Sequence, residues 1–285
     1  TLTGETLEET SEEGNEEESE SLDLRSENGN KKEIKTVDEL VALSKENPQN
    51  YQNAEIILAP HDTNEWDLSG KDFLGLGSDD YPFKGSISFS GEYTGYITLD
   101  KSLFNAVSED AQITSTLNLK AVNDMTDPIL AKKYIAGSDS ESNSQVINLK
   151  IDAKSTDTTE GGEQTSYSSF GGIIGTLGEN ATVLLTITNV IPASKTAVKG
   201  DGNRGFFCNT LEAKASLTIS AFSENADFQI TSTDGNAGAL VGYMGTGAKL
   251  IVTSEISFSG SVNGKQNVGG LVGKVEDEAK ITLSE

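Results

Sequence analysis

Apolar and polar residues alternate over short segments of this chain, and glycines separate these segments. Clear examples are Ala-Thr-Val-Leu-Leu-Thr-Ile-Thr at 181–188 and Lys-Leu-Ile-Val-Thr-Ser-Glu-Ile-Ser-Phe at 249–258. Segments of this length, rich in Val, Ile, Thr and Leu and with a period of two, are typical of β-strands. The pattern therefore predicts an all-β chain built from many short strands.

One phrase recurs five times with the same internal spacing. Its clearest copies are Gly-Gly-Ile-Ile-Gly at 171–175, Gly-Ala-Leu-Val-Gly at 238–242 and Gly-Gly-Leu-Val-Gly at 269–273. We number the first bulky residue of each copy as position zero; these residues are Leu103, Ile173, Phe207, Leu240 and Leu271. The last four are 34, 33 and 31 residues apart. Residues at one position in successive copies form what we call a column.

Three columns keep one kind of side chain through all five copies. Position four is apolar, position ten is aliphatic, and position eight is always alanine: Ala111, Ala181, Ala215, Ala248 and Ala279. A fixed period of about 20 to 50 residues is typical of a solenoid, whose units bury their apolar faces against their neighbours. Strand-forming units predict stacked coils of parallel strands, with alanine at a tight corner or where the next coil approaches closely.

The glycines of the repeat predict sites where backbones crowd or bend. Glycine inside a strand usually marks a bulge or a close backbone approach. Position two holds Gly175, Gly242 and Gly273, and the glycines before position zero are Gly171, Gly172, Gly238, Gly269 and Gly270. Asn105 and Asn209 replace glycine at position two in the other copies. Asparagine tolerates a left-handed backbone, so we predict that conformation for this column.

The segment before the repeat predicts a short helix and further strands. Thr36 and Glu39 form a capping-box pattern, which predicts a helix over 36–46 that caps the solenoid. Strands followed by turns are predicted at 54–59, 66–70 and 83–93. Copies one and two are 70 residues apart, close to two periods, so we predict a divergent coil between them, with a strand at 145–151 and protruding loops that are candidate contact surfaces.

Charge and composition divide the chain and exclude two classes of partner. Residues 1–30 carry eleven acidic residues and one basic residue with few large apolar side chains, so we predict a disordered acidic linker over 1–32 and one solenoid domain over 33–285. The formal charge of −24 argues against nucleic acid and anionic membranes as partners. No stretch is long enough to insert into a membrane. We expect a monomer and a fragment of a longer polypeptide.

The repeat and the segments before it resemble a known family. Gly-Gly-Leu-Val-Gly followed by a turn, an alanine and a Val/Ile-rich strand is similar to the GLUG repeat of large bacterial surface proteins, which include the non-catalytic region of IgA-specific metalloproteases. The order of helix, 56–58, Trp66-Asp-Leu-Ser-Gly70 and Pro82-Phe-Lys-Gly85 is similar as well, so the resemblance covers about 33–285. It implies a right-handed parallel β-helix on an exported, cell-surface protein. Departures at Asn105 and at 206–209 predict less regular coils there.

Candidate chemistry is sparse in this sequence. His61 is the only histidine, which excludes a His-Glu-x-x-His zinc site, and Cys208 is the only cysteine, which excludes an internal disulfide. Cys208 occupies an apolar column, so we predict a buried structural thiol. Asp139, Asp201 and Asp234 lie in polar loops that offer oxygen ligands of the kind calcium prefers, although no calcium-binding motif is present. Tyr81, Tyr93, Tyr96 and Tyr243 are candidates for stacking against sugar rings.

Catalysis on a β-helix usually needs charged residues stacked on one face, and the repeat does not gather them. Positions three and nine hold no carboxylates in any of the five copies. Acidic residues occur at positions six and seven, where turns are predicted. The sequence therefore predicts no catalytic residues, no metal and no cofactor, and it favours an adhesin or stalk that binds a host or cell-surface glycan or protein. The alternatives are a glycan-active enzyme domain (polysaccharide lyase or glycosidase) and an accessory module of a surface protease.

Overall fold

The chain folds as a β-solenoid of about six turns with one short helix. The computed structural model describes residues 31–59, 66–90, 95–113, 116–122, 124–137, 143–151, 168–191, 195–220, 227–254 and 259–284. The predicted linker therefore lies outside the described residues except at 31 and 32, where the first strand has already begun. The all-β class and the stacked parallel strands are confirmed. About seven coils were expected, and the structure has about six.

The described secondary structure consists of short strands, one α-helix and one turn of 3₁₀-helix at Pro48–Asn50. The helix is α1 (Val37–Lys45). In chain order the strands are β1 (Lys31–Ile34), β2 (Glu55–Leu58), β3 (Trp66–Asp67), β4 (Ser86–Phe89), β5 (Ile97–Leu99), β6 (Phe104–Ser108), β7 (Gln112–Ile113), β8 (Leu117–Ala121), β9 (Ala131–Ile135), β10 (Asn143–Ile151), β11 (Ser168–Phe170), β12 (Ile174–Leu177), β13 (Thr182–Ile191), β14 (Lys195–Gly200), β15 (Cys208–Leu211), β16 (Ser216–Ser220), β17 (Asp227–Ser232), β18 (Ala237–Gly238), β19 (Val241–Met244), β20 (Lys249–Val252), β21 (Ser259–Asn263), β22 (Val268–Gly269), β23 (Val272–Val275) and β24 (Lys280–Leu283).

The strands form sheets along the sides of the solenoid, and all of their pairings are parallel. Sheet I is β1-β2-β4-β7, sheet II is β24-β20-β16-β13-β10-β8-β5-β3, sheet III is β23-β19-β15-β12-β9-β6, sheet IV is β11-β14-β17-β21, and sheet V is β18-β22. In the later coils the chain passes from sheet III through a turn to sheet II, then to sheet IV, and returns through a corner to sheet III. The core lies between these sheets, where the inward columns are fully buried.

The columns found in the sequence align from coil to coil in the structure. Position one pairs Ile174 with Cys208, Cys208 with Val241, and Val241 with Val272. Position ten likewise pairs neighbouring strands of sheet II in the last four copies. The coil at 206–209, expected to be less regular, keeps this register. Its Phe206 ring fills the core against the rings of Phe170, Phe207 and Phe228, at centroid distances of 5.8, 5.0 and 4.7 Å.

A divergent coil fills the gap between copies one and two, as predicted. In sheet III, Ala131 of β9 pairs with Phe104 on one side and Ile174 on the other, so a sixth copy begins at Leu130. The predicted strand at 145–151 is β10, which starts two residues earlier and pairs with β8 and β13. The sequence hides this copy because it has lysine where the other copies have glycine or asparagine.

The helix begins and packs almost as the sequence predicts. The Thr36 hydroxyl accepts a hydrogen bond from the Glu39 backbone N–H at 3.2 Å. Glu39 returns the contact one residue earlier than in a standard capping box, accepting from the Lys35 N–H at 2.6 Å. Leu40 and Leu43 are fully buried in the core. Because α1 lies beside the edge strand β1, it covers the first end of the stack.

Candidate functional site

The repeat glycines lie where the backbone of one coil crosses the next. A Cβ on Gly242 would lie 2.5 Å from the Arg204 nitrogen, and a Cβ on Gly273 would lie 2.7 Å from the Ala237 nitrogen. Real Cβ atoms do not approach backbone atoms this closely. Position two of one coil is therefore covered by the corner of the preceding coil, which confirms the predicted close approach.

The first and last glycines of the phrase contact each other across neighbouring coils. A Cβ on Gly205 would lie 2.7 Å from the Gly242 nitrogen, and a Cβ on Gly238 would lie 2.7 Å from the Val272 carbonyl carbon, beside Gly273. The spacing between the two glycines within one copy is therefore set by contacts between two neighbouring coils.

The remaining glycines of the phrase differ in what they contact. Gly171 and Gly175 lie against the backbone of the divergent coil, at Asp127 and Lys132. Gly172 has a left-handed φ of +95°. A Cβ on Gly269 would lie 2.9 Å from the Val272 carbonyl carbon, whereas no atom lies within 4 Å of a Cβ on Gly270. The expected crowding is therefore wrong for Gly270, because no described coil packs against it.

Asn105 and Asn209 do not adopt the left-handed backbone that we predicted for position two. Among the described non-glycine residues, φ is positive at Asp124, Asn180, Lys214 and Glu278. Asn209 instead uses its side chain: Oδ1 accepts from the Gly205 N–H at 3.1 Å and Nδ2 donates to the Gly171 carbonyl at 3.0 Å. At position two, the hydrogen bonds of the Asn209 amide take the place of the close backbone packing that glycine permits in other copies.

The alanine column closes a tight turn after the sheet III strand of each copy, leading to sheet I in copy one and to sheet II in the last four copies. Each alanine N–H donates to the carbonyl three residues earlier, as from Ala181 to Gly178 at 3.0 Å. Position seven is left-handed in the last four copies, at Asn180, Lys214, Gly247 and Glu278, which is typical of a type II turn. Ala111, Ala181, Ala215 and Ala248 are fully buried, and Ala279 is partly buried in the last coil. The predicted tight corner is confirmed.

A ladder of asparagine side chains lies at the corner before position zero. Asn236 Nδ2 donates to Asn203 Oδ1 at 2.7 Å, and Asn267 Nδ2 donates to Asn236 Oδ1 at 2.6 Å. The backbone N–H groups of Asn236 and Asn267 donate to the same two oxygens. This column lies at position minus four, before the first glycine, so the glycine phrase does not predict it. The recurrence of Asn at one position in three successive copies would have identified it.

Glu109 accepts a backbone hydrogen bond that a carbonyl accepts in the later coils. In the later coils the backbone N–H at position nine donates to the carbonyl at position eight of the preceding coil. One example is the bond from the Ser216 N–H to the Ala181 carbonyl, at 2.8 Å. Thr182 occupies position nine of copy two, and its N–H donates to Glu109 Oε2 at 2.6 Å. Glu109 is buried, so its carboxylate acts here as a structural acceptor.

Replacing Glu109 with alanine should destabilise the fold by about 1 to 3 kcal/mol, because the Thr182 N–H then lacks this acceptor. Glu109→Gln keeps an acceptor oxygen on a side chain of the same length, so it should lower the free energy of unfolding by clearly less. Urea unfolding followed by circular dichroism measures both variants. Equal losses for the two would show that the acceptor oxygen does not matter.

Two of the acidic residues proposed as calcium ligands, Asp201 and Asp234, form hydrogen bonds between the loops of neighbouring coils. Asp234 accepts from the Gly202 N–H, and Asp201 accepts from the Thr233 hydroxyl. The nearby Arg204 has a lowered pKa because burial disfavours its charge, while Asp201, Asp127 and Asp234 oppose that shift. Within the described ranges, no three His, Cys, Asp or Glu side chains are grouped to hold a metal ion. Asp139 and His61 lie outside these ranges.

Two of the four candidate tyrosines, Tyr243 and Tyr96, have a lysine over their rings. Lys274 Nζ lies 5.6 Å from the Tyr243 ring centroid, and the Tyr243 hydroxyl donates to Glu276 Oε1 at 3.2 Å. Lys150 Nζ lies 5.6 Å from the Tyr96 ring centroid. Tyr81 lies in a turn that its backbone closes with Ser78. Tyr93 lies outside the described residues. A sugar stacking on the lysine-covered face of Tyr243 or Tyr96 would have to displace that lysine.

Cys208 is a fully buried thiol in position one, as predicted. Its Sγ donates to the Thr210 carbonyl at 3.2 Å. Burial raises the pKa of the thiol from 9.0 to about 12, so the folded protein keeps it protonated at neutral pH.

In the folded state Cys208 should therefore resist thiol reagents at pH 8 and react fully in denaturant, which absorbance of the released thiolate measures. The raised pKa also has a stability consequence. The stabilisation is complete below about pH 9, where the unfolded thiol ionises, and is lost as the pH rises towards about 12. Rapid labelling of the native protein would contradict the buried assignment.

No family model, curated protein or solved structure gives a significant match to this chain. The GLUG resemblance therefore stays a prediction carried by the repeat residues themselves. Among the residues placed in the structure, no helix is long and apolar enough to cross a membrane.

Proposed function

We propose that this chain is a non-catalytic repeat segment of a bacterial cell-surface protein, acting as a stalk or adhesin that spaces or presents other parts of that protein. In this proposal the protein is extracellular, attached to the cell surface through parts outside this chain, and its ligand is a glycan or protein of a host or of a cell surface. The GLUG resemblance suggests the location, and the use of the repeated residues suggests the role.

The observation that carries the proposal is that repeated polar side chains and glycines bind coil to coil. The asparagine ladder joins Asn203, Asn236 and Asn267 through side-chain bonds, and the turn amides of successive coils donate to one another. The N–H of Asn180 donates to the Ala213 carbonyl at 3.1 Å, and that of Lys214 donates to the Thr246 carbonyl at 2.9 Å. Groups engaged in this way support a rigid spacer, because they hold each coil on the next.

The outward side of sheet III is where we place ligand contact. Its column at position three runs from Lys133 through Thr176, Thr210 and Tyr243 to Lys274, in register from strand to strand. Each of the two lysines forms an ion pair, Lys133 with Asp79 at 3.1 Å and Lys274 with Glu276 at 2.6 Å. An acidic glycan or an acidic protein segment would bind this strip by taking the place of these carboxylates on the two lysines.

A glycan array with the fluorescently labelled chain, followed by product analysis of any bound glycan, tests the proposal. We expect acidic glycans to bind and to be recovered intact. Lys274→Ala should weaken binding, whereas Lys249→Ala, on the neighbouring sheet II, should not. Shortened or unsaturated glycan products would overturn the non-catalytic assignment and favour a glycan-active enzyme. Binding that is equal for both variants would remove sheet III as the contact face.

A further inference from the structure

The outward side of sheet II carries no carboxylate over the six strands β8, β10, β13, β16, β20 and β24, within the residues whose burial is described. The alternation of buried and more exposed residues, together with the register between strands, identifies the outward positions. Asn, Ser, Thr, Lys and aliphatic residues occupy them. The chain contains 45 Asp and Glu residues among 285. This side of the solenoid therefore differs in charge from the chain as a whole.

Four lysines on this side form two pairs of neighbours. Lys120 of β8 lies in register with Lys150 of β10, and Lys249 of β20 lies in register with Lys280 of β24. Neighbouring strands lie about 4.8 Å apart, and like charges on residues directly opposite each other repel. Each pair therefore favours an anion that contacts both ammonium groups. We call the outward side of sheet II from β8 to β24 the lysine face.

Lysines on other sides of the protein are paired with carboxylates of the same chain, as Lys132 is with Asp127 at 2.9 Å. Among the described residues, no ion pair involves Lys150, Lys249 or Lys280. These three lysines thus carry positive charge that no described carboxylate neutralises.

The positions of the two pairs favour an extended acidic chain over a small anion. Lys249 lies in the register of Thr182, whereas Lys150 lies in the register of Ile191. Residues 182 and 191 are separated by about 30 Å along β13, at about 3.3 Å per residue. One small anion cannot contact both pairs, but about ten residues of an extended segment can.

Residues 1–30 of this chain have the charge that such a segment needs. They contain eleven acidic residues and one basic residue, with carboxylates from Glu5 to Glu27. Thirty residues reach up to about 100 Å when extended, whereas six coils measure only about 30 Å, so every strand of sheet II is within reach of a segment joined to β1. The covalent connection also keeps the concentration of these carboxylates at the lysine face high, on the order of millimolar.

We propose that residues 1–30 bind the lysine face of the same molecule. Their carboxylates contact the ammonium groups of Lys120, Lys150, Lys249 and Lys280. Single exposed ion pairs are weak, so binding needs several of them at once and weakens as salt screens the charges. The bound segment shields the lysine face from other acidic partners. The inference rests on register and charge, and it does not depend on the proposed function.

Carbodiimide cross-linking of the full chain, followed by mass spectrometry of the monomeric product, maps the contact. The reagent activates a carboxylate, and a lysine Nζ within reach displaces the activating group to form an amide. We expect cross-links from residues 1–30 to Lys150, Lys249 and Lys280 in 0.01 M salt. They should become roughly tenfold fewer in 1 M salt, because the screening length falls from about 30 Å to about 3 Å. Lys199, which is exposed near the end of β14, is the control and should show no such salt-dependent cross-links.

A distance measurement tests whether the lysines cause the contact. Spin labels at Ser11→Cys and at Thr218→Cys, in the middle of the lysine face, leave the buried Cys208 unlabelled. Pulsed dipolar spectroscopy should give a short distance at low salt. The triple variant Lys150→Gln/Lys249→Gln/Lys280→Gln should lose it.

The matched control is the triple variant Lys71→Gln/Lys133→Gln/Lys199→Gln, which removes the same number of positive charges from other sides of the protein. It should keep the short distance, and circular dichroism verifies that both triple variants are folded. Three results would each overturn the proposal: a short distance that survives in the lysine-face variant, equal cross-linking at low and high salt, or cross-links that join two molecules when isotopically labelled and unlabelled chains are mixed. The last result would identify a second copy of the chain as the occupant.

Discussion

Replacing Gly242 with alanine should destabilise the solenoid by about 3 kcal/mol. The new Cβ would lie 2.5 Å from the Arg204 nitrogen and 2.7 Å from the Asn209 carbonyl oxygen. Both contacts are with backbone atoms, which cannot rotate away as a side-chain tip could. The two coils would have to separate locally, and the hydrogen bonds of β19 to β15 would lengthen. Chemical unfolding monitored by circular dichroism measures the loss.

Gly270→Ala is the matched control for that experiment, because it changes a glycine of the same phrase in the same way. No atom lies within 4 Å of its Cβ, and its φ is not left-handed. Alanine should therefore be tolerated there, with a gain of up to about 1 kcal/mol from the lower entropy of the unfolded chain. Equal effects of the two substitutions would show that the contact between coils does not require glycine at position two.

Replacing Asn236 with alanine should cost about 3 kcal/mol, because this residue is the middle rung of the asparagine ladder. Asn236 is buried, it donates to Asn203, and it accepts two hydrogen bonds from Asn267. In the alanine variant the Asn203 oxygen loses its side-chain donor but keeps the backbone N–H of residue 236. The side-chain and backbone donors of Asn267 lose their shared acceptor altogether.

Asn267→Ala tests the same column at an exposed position. Water can replace the lost partners there, so the cost should be about 1 kcal/mol or less. Thermal and urea unfolding of the two variants give the comparison. A cost at Asn267 that equals the cost at Asn236 would indicate that burial of the ladder does not determine its contribution.

The columns made the fold predictable from sequence because each coil repeats the environment of the last. Apolar residues at positions one, four and ten pair with their equivalents in the next coil, as Cys208 does with Ile174 and Val241. The alanine at position eight also predicted a real corner. Four of the five alanines are fully buried in that turn, so a small residue at a fixed position marked the corner.

Other features were hidden because their cause lies in a neighbouring coil. The glycine at position two needs space for the corner of the preceding coil, and nothing within one copy reveals that partner. Asn209 was interpreted as a left-handed residue, whereas its amide forms hydrogen bonds to Gly205 and Gly171. Lys214 and Glu278 are left-handed without any side chain that favours this backbone, since the turn around them fixes φ.

The candidate site could be predicted less well than the fold. The sequence drew attention to Asp201, Asp234 and Tyr243, and the structure gives each of them an intramolecular partner. The exposed column at position three emerges only when strands are placed in register, because Thr, Tyr and Lys share no pattern along the chain. Leu271 and Ile281 resemble the buried members of their columns, so residue type alone does not reveal that they are 41% and 40% exposed.

The central claim is that the coils form one rigid spacer, and the distance between its two ends tests this most directly. A chain labelled at Lys35→Cys and Thr282→Cys carries one probe on each end of the stack, while Cys208 stays buried and unlabelled. Pulsed dipolar spectroscopy, with the labelled chain diluted in unlabelled protein, gives the distribution of this distance. A rigid spacer predicts one narrow peak, which does not change when acidic glycans are added. A broad or multiple distribution, or a peak that shifts on adding glycan, would contradict it.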